Sequence, residues 1–188
     1  MEPSQTLEGP VLSDGVVTLR NWRPDDARAV FEACQDPLIA RHTYVPVPYR
    51  REHADGFIAN CMRAFASGSS EAGFAIADAA TDQVLGSMSR SPLDGHRAGF
   101  GYWLAPRARG RGVATRALRL IADWTLATTD AIRLDLYTDL DNPASGAVAE
   151  RAGFEREGIR RAWDIGRDGE PIDVIFYVLV RSPEDPRL

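Results

Sequence analysis

Gly101-Tyr-Trp-Leu-Ala-Pro-Arg-Ala-Arg-Gly-Arg-Gly-Val-Ala-Thr115 is the stretch whose reading decides the fold. An alternating, strand-like segment ends at Leu104, a turn carries Arg107, Arg109 and Arg111, and Gly110 and Gly112 lead into a helical pattern. The first turn of a helix has free backbone N–H groups and a partial positive charge, so anions bind there readily. Glycine at 110 and 112 keeps a Cβ out of the path of an approaching phosphate. Three arginines in five positions add charge suited to a diphosphate. A Walker A loop ends in Gly-Lys-Ser/Thr, and this loop has no lysine. A Rossmann fingerprint needs Gly or Ala where Thr115 stands, and only 76 residues follow Gly112, too few for a dinucleotide fold. A plain glycine-containing helix cap is the remaining alternative.

Working outward, Val113, Ala114, Ala117, Leu118, Ile121 and Trp124 form a helical face reaching about Ala127. Upstream, the runs 72–77, 84–91 and 98–104 are strand-like and separated by short polar loops, which predicts an antiparallel meander. Before them come a strand over 11–22, a helix from Pro24 to about Gln35, a proline-rich loop through Tyr49 and a helix over 51–67. Downstream, 132–138 reads as a strand, 144–151 as a short helix, and 159–165 and 172–180 as closing strands. The pattern is that of a mixed α/β (α+β) chain.

The 188 residues suit one domain over about 11–180, with a flexible N-terminus over 1–10 and a C-terminal tail over 181–188. The formal charge of −5 argues against nucleic acid, and more weakly against an anionic membrane, as the main partner. It suits a basic acceptor such as an amine and equally suits plain solubility. No long apolar run suggests a membrane span, and Met1–Pro10 is not signal-like, so a cytoplasmic location is the expectation. Cys34 and Cys61 lie in apolar helical patterns and read as buried thiols. His42, His53 and His96 are widely separated and read as surface residues, and no metal site is expected.

Arg107-x-x-Gly110-x-Gly112 matches the Arg/Gln-x-x-Gly-x-Gly/Ala loop of the GNAT superfamily at each fixed position. The chain most resembles the RimJ/RimL-type branch, the ribosomal-protein N-acetyltransferases. The resemblance extends over Leu19-Arg20, Gly101-Tyr-Trp-Leu104, Asp141-Asn-Pro-Ala-Ser145, Ala152-Gly-Phe154, Glu157-Gly158 and Asp173 to Tyr177, about Val11 to Val180 in all. It implies the GNAT fold, a mixed, mostly antiparallel sheet of about seven strands flanked by about four helices. It also implies an acyl-CoA-dependent N-acyltransferase using acetyl-CoA as co-substrate, with another acyl group such as succinyl left open. The group would pass to a primary amine, on a small molecule or a protein N-terminus, by direct attack in a ternary complex; a homodimer is the family's suggestion.

What the resemblance implies for residues is specific. The strand before the loop parts from the next one, and the pantetheine arm lies in the gap beside Trp103 and Leu104, with backbone amides near Leu104 bonding the thioester oxygen. Arg107, Arg109, Gly110, Arg111, Gly112, Val113, Ala114 and Thr115 would hold the pyrophosphate. Asn142 would contact the pantetheine amides, and Ser145 would bond the sulfur and return a proton to it. Both Asn142 and Ser145 also suit a helix cap. Many relatives carry a glutamate where this chain has Gly99, so Glu71 is the substitute candidate for the catalytic base. Asp135, Asp164 and Asp173 are others, and each of these acids also suits a solvated strand or loop. Trp163 and Tyr177 lie on strands that edge the acceptor pocket in the family. A non-catalytic acyl-CoA-binding domain, supported by Gly99, and a nucleotide-binding enzyme are the competing readings.

Overall fold

The alternation that marks Val17 and Leu19 does bury both, but the strand expected over 11–22 is two strands. Asp14 breaks it: its Oδ1 accepts from the N–H groups of Val16 and Val17, each at 2.9 Å, and folds β1 (Leu12–Ser13) back on β2 (Val17–Arg20). The computed structural model describes residues 9–69 and 71–181. The N-terminal and C-terminal tails expected from the sequence lie outside the described residues, apart from Gly9, Pro10 and Arg181.

After β2, Arg20 turns inward and ties the chain to its first helical turn. Its guanidinium makes a two-pronged pair with Asp26 at 2.8 and 3.0 Å, and its Nε reaches Asp82 at 2.6 Å. Asp26 also accepts from the N–H of Arg23, at 2.8 Å. A short 3-10 turn (Pro24–Asp26) then enters α1 (Ala27–Ala33). Where a loop was expected through Tyr49, the chain forms α2 (Pro37–His42). Asp36 caps it, its Oδ1 accepting from Leu38 and Ile39, with Pro37 at the first helical position. The Asp-Pro pair ends one helix and starts another.

Next come α3 (Arg51–Ala66), β3 (Ala72–Asp78), β4 (Val84–Asp94), β5 (Arg97–Leu104), α4 (Val113–Thr128), β6 (Arg133–Asp139), α5 (Pro143–Ala152), β7 (Glu155–Ile165) and β8 (Pro171–Val180). Strand order across the single sheet is β1-β2-β3-β4-β5-β6-β8-β7. Every neighbouring pair is antiparallel except β5–β6, which α4 connects as a crossover. Among the described residues this is a mixed, mostly antiparallel sheet of eight strands with five α-helices, against the seven and four expected. The additions are the split first strand and α2. β7 begins at Glu155, four residues before the expected start, because β8 pairs with it from there although it faces solvent.

Two cores sandwich the sheet. On one face Leu19, Phe74, Ile76, Met88, Leu134 and Leu136 pack against Leu118 and Ile121 of α4. On the other, Trp22, Ala75 and Val84 pack against Val30, Ile39 and Ile58 of the first three helices. Removing the charge that joins β2 to the α1 entry leaves Asp26 buried and unpaired. Arg20→Met should therefore lower the unfolding free energy in a urea titration by about 3–5 kcal/mol. Arg23→Met, at an exposed pair with Asp82, should cost less than about 1 kcal/mol.

Candidate active site

β5 and β6 pair at only three positions, Arg97 with Arg133, Ala98 with Leu134 and Gly99 with Asp135. Beyond Gly99 the two strands part. β4 stays bound to β5 through Leu104, and β8 to β6 through Asp139, so each strand leaves one edge open to the gap. At the top of β5 the N–H of Ala105 donates to Leu85 O at 2.9 Å, which turns the Leu104 carbonyl the other way, into the gap. N–H and C=O of one residue in an extended strand point to the same side, so the Leu104 N–H faces the gap too.

Immediately above lies the start of α4. Gly110 and Gly112 have φ of +71° and +73°, a left-handed conformation that any other residue adopts at a cost, and an added Cβ would meet nothing within 4 Å. The loop therefore needs glycine for its turn, and the space over it is open. Gly112 is the N-cap and has no side chain to bond the first-turn N–H groups of Val113, Ala114 and Thr115; no acid stands in that turn. An uncapped, acid-free helix start is an uncompensated positive end.

The three arginines divide. Arg107 donates to Val84 O at 2.7 Å. Arg109 donates to the Asp36 carboxylate at 2.9 and 3.3 Å and to Leu104 O at 3.1 Å. The Arg109 guanidinium, followed by the N–H groups of Ile39 and Leu38, holds the Asp36 carboxyl below its ordinary value against the opposing effect of burial. Arg111 is exposed and has no hydrogen bond or ion pair among the described residues. The Trp103 side chain stacks on Trp22, centroids 6.5 Å apart, in the core under the first three helices, and its backbone pairs with Ser87 of β4 rather than facing the gap.

On the β6 side, Asn142 caps α5, its Oδ1 accepting from the Ser145 N–H at 3.2 Å. The Ser145 hydroxyl is not part of that cap. It accepts from the Tyr102 hydroxyl at 2.9 Å, across the gap from β5. Burial pushes the Tyr102 phenol above its ordinary value, so it stays protonated and donates. Tyr177 closes the floor: a Cβ at Gly146 would lie 2.4 Å from its hydroxyl.

The base candidates scatter. Gly99 is covered by Leu93, whose Cδ2 would sit 3.4 Å from an added Cβ, so an apolar side chain fills the place where the resemblance implied a carboxylate. Glu71 is exposed just before β3, which β4 separates from β5; the structure does not bring it to Ser145. Asp135 is buried and paired with Arg133 at 2.8 Å. Asp173 accepts from the Ala162 N–H at 2.9 Å. Burial opposes ionisation of Asp164, but the hydroxyls of Tyr44 and Tyr137 and the Ile165 N–H hold it below the usual carboxylate range, which makes it a weak proton acceptor. Burial pushes the free thiols Cys34 and Cys61 up to about 11, so neither is a ready nucleophile.

The sequence pointed to neither Tyr102 nor His42 as site residues. His42, expected on the surface, ends α2 largely covered, its Nδ1 2.7 Å from Asp139 Oδ2. With Asp141 it forms a group whose ligand-type atoms lie within 4.8 Å of one another, a cluster invisible at a separation of 97 residues. Trp163 is half exposed and packs edge-on to Phe176 and Tyr137 beside this mouth. No helix among the described residues is long and apolar enough to cross a membrane.

Comparison with known proteins gives the family and the fold. A family model described as an acetyltransferase (GNAT) domain matches residues 17–155. N-acetyltransferase p20 of Bacillus licheniformis, itself uncharacterized, is 23% identical over 167 residues, 88% of this chain and 93% of the relative. Ribosomal-protein-serine acetyltransferase of Escherichia coli (strain K12) is 28% identical over 101 residues, 53% of this chain and 56% of the relative. The chain thus spans about half the length of some curated relatives it matches and over nine tenths of others. Among solved structures, RimL, the ribosomal L7/L12 alpha-N-protein acetyltransferase in complex with coenzyme A, aligns with a TM-score of 0.80 at 19% identity, over 92% of this chain and 98% of that one. The microcin C7 self immunity acetyltransferase MccE, in complex with acetyl-CoA and AMP, aligns at 0.77 with 22% identity, over 89% and 93%. At these identities the shared property is the fold.

An acid placed in the first turn of α4 separates an anion site from an ordinary helix cap, because the two effects differ in sign. Thr115→Glu should leave thermal stability unchanged or raise it by up to about 1 kcal/mol through the helix dipole. In calorimetric titration it should weaken coenzyme A binding by about tenfold or more, a penalty of about 1.4 kcal/mol. Unaltered binding would leave the loop a cap and nothing else.

Proposed function

This chain belongs to the acetyltransferase (GNAT) family, a family of acyl-CoA-dependent N-acetyltransferases, and on that premise we propose that it moves an acetyl group from acetyl-CoA to the α-amine of a protein N-terminus. The observation that carries the reading is the open gap between β5 and β6, with an uncompensated helix start at one end and the Ser145–Tyr102 hydroxyl pair inside it. When bound, acetyl-CoA supplies an activated acyl thioester; the chain's own groups supply place and proton traffic.

In this reading, the N–H groups of Gly112 to Thr115 and the free Arg111 hold the pyrophosphate, while Arg109 braces the loop through Asp36. The gap-facing N–H of Leu104 stabilises charge that develops on the thioester oxygen. The amine attacks directly within a ternary complex, and Ser145, polarised by Tyr102, returns a proton to the sulfur that leaves. The α-amine of a protein is favoured as acceptor because the relatives include a ribosomal-protein-serine acetyltransferase. The mouth also suits a cation: Asp139, Asp141 and Asp164 stand beside exposed Tyr44, Tyr137 and Trp163. An acceptor of this kind implies a cytoplasmic site of action.

Release of free thiol from acetyl-CoA, measured against peptides with free N-termini, polyamines and aminoglycosides, tests the activity and the acceptor class together. Peptides should give the highest kcat/KM, and Ser145→Ala should lower kcat by about 100-fold with the acetyl-CoA KM within about threefold of wild type. An unchanged kcat would remove Ser145 from the mechanism, and binding without thiol release for any amine would make the chain a non-catalytic acyl-CoA-binding domain.

A further inference from the structure

We propose that His42, oriented by Asp139, accepts the proton of the attacking amine, and that α2 is the strap that carries it across the gap; this rests on the acyl-transfer reading above. Gly99 carries no side chain and lies under Leu93, and Glu71 lies two strands away, so neither supplies a proton acceptor at the gap.

The two ends of α2 are pinned to opposite lips of the gap. At its start, Asp36 takes the Arg109 guanidinium, which also holds Leu104 O at the top of β5. At its end, Arg41 pairs with Asp141 and His42 with Asp139, on the β6 side. Six helical residues span about 9 Å, roughly two strand spacings. Gly99 and Asp135 are the last paired residues, and Trp103 and Asp139 each lie four residues beyond them. At about 3.3 Å per residue both stand some 13 Å up their strands, so the His42–Asp139 pair faces the level at which the Leu104 N–H opens into the gap.

The chemistry of the pair fits the task. A carboxylate only accepts, so the imidazole nitrogen bonded to Asp139 carries the hydrogen, which leaves Nε2 as the atom that takes up or gives up a proton. Other charges facing the ring are Asp141 at 4.0 Å, already paired with Arg41, and Arg167, which donates to the carbonyls of Ala40, Thr43 and Val45 around it. Tyr44 and Asp164 are bonded to each other beyond them. The step balances. The ammonium gives one proton to His42 Nε2, the freed lone pair forms the C–N bond, and the C–S bond breaks. The second proton of that nitrogen reaches the thiolate through Ser145, and His42 returns its proton to water.

Steady-state kinetics of wild type, His42→Gln and Asp139→Asn across pH test it. At pH 7, where roughly one α-amine in seven is already deprotonated, kcat should fall about sevenfold in His42→Gln, with the acetyl-CoA KM unchanged. Asp139→Asn should also lose kcat rather than KM, because an amide no longer enforces the tautomer. Above about pH 9 the α-amine is already deprotonated, so His42→Gln should recover most of the wild-type rate, which a merely structural lesion would not do. A kcat within threefold of wild type at neutral pH in His42→Gln, or an equal loss at every pH in both variants, overturns the proposal. So does wild-type activity lost to a chelator and restored by a divalent cation, which would make His42, Asp139 and Asp141 ligands. A wild type that releases no thiol with any amine defeats the functional reading itself, whereas an active wild type with an indifferent His42→Gln defeats only this inference.

Discussion

Parallel pairing between β5 and β6 stops after three residues, and nearly everything at the site follows from that stop. A continuous ladder would satisfy the backbone of both strands and leave no way through the sheet. Because β4 and β8 keep hold of the outer edges, the strands can part without fraying. Their inner edges then present N–H and C=O groups to whatever enters. The helix that crosses from one strand to the other starts at the top of the same gap, so the donor-rich helix end and the open strand edges belong to one site.

The arginine-rich loop divides its charge in a way that ties the start of α4 to α2. Arg107 and Arg109 are bound to Val84 O, Leu104 O and Asp36, while Arg111 is exposed and makes no hydrogen bond among the described residues. A loop of three free guanidiniums would be a strong but floppy anion trap. Here two of the three brace the backbone whose N–H groups face outward, and one of them fastens α2 as well. The first turn of α4 and the strap over the gap are therefore mechanically one unit, joined through a partly covered ion pair.

Local patterns in the chain were legible wherever the physics is local. Gly110 and Gly112 sit at positive φ, and the helix face from Val113 to Trp124 is the apolar stripe its spacing predicts. The meander of β3, β4 and β5 follows its alternation and short polar turns. α2 was legible in principle, since Asp36-Pro37 is a cap followed by a first-turn proline, but proline also terminates helices, and the terminating sense took precedence. The split of the first strand turned on one Asp14 side chain bonding two N–H groups, a choice that residue type alone leaves open.

By itself the sequence determined the family, the mixed sheet and the two-glycine loop that starts α4, because glycine backbone freedom and hydrophobic period act over a few residues. Only the tertiary structure decided which polar side chains meet around the gap. Tyr102 meets Ser145 across 43 positions, Arg109 meets Asp36 across 73 and His42 meets Asp139 across 97. Each pair joins polar side chains whose partners are fixed by where strands part and helices dock. Leu93 over Gly99 shows the same thing in reverse: a missing carboxylate could be read in the sequence, but what fills its place depends on how a hairpin folds back.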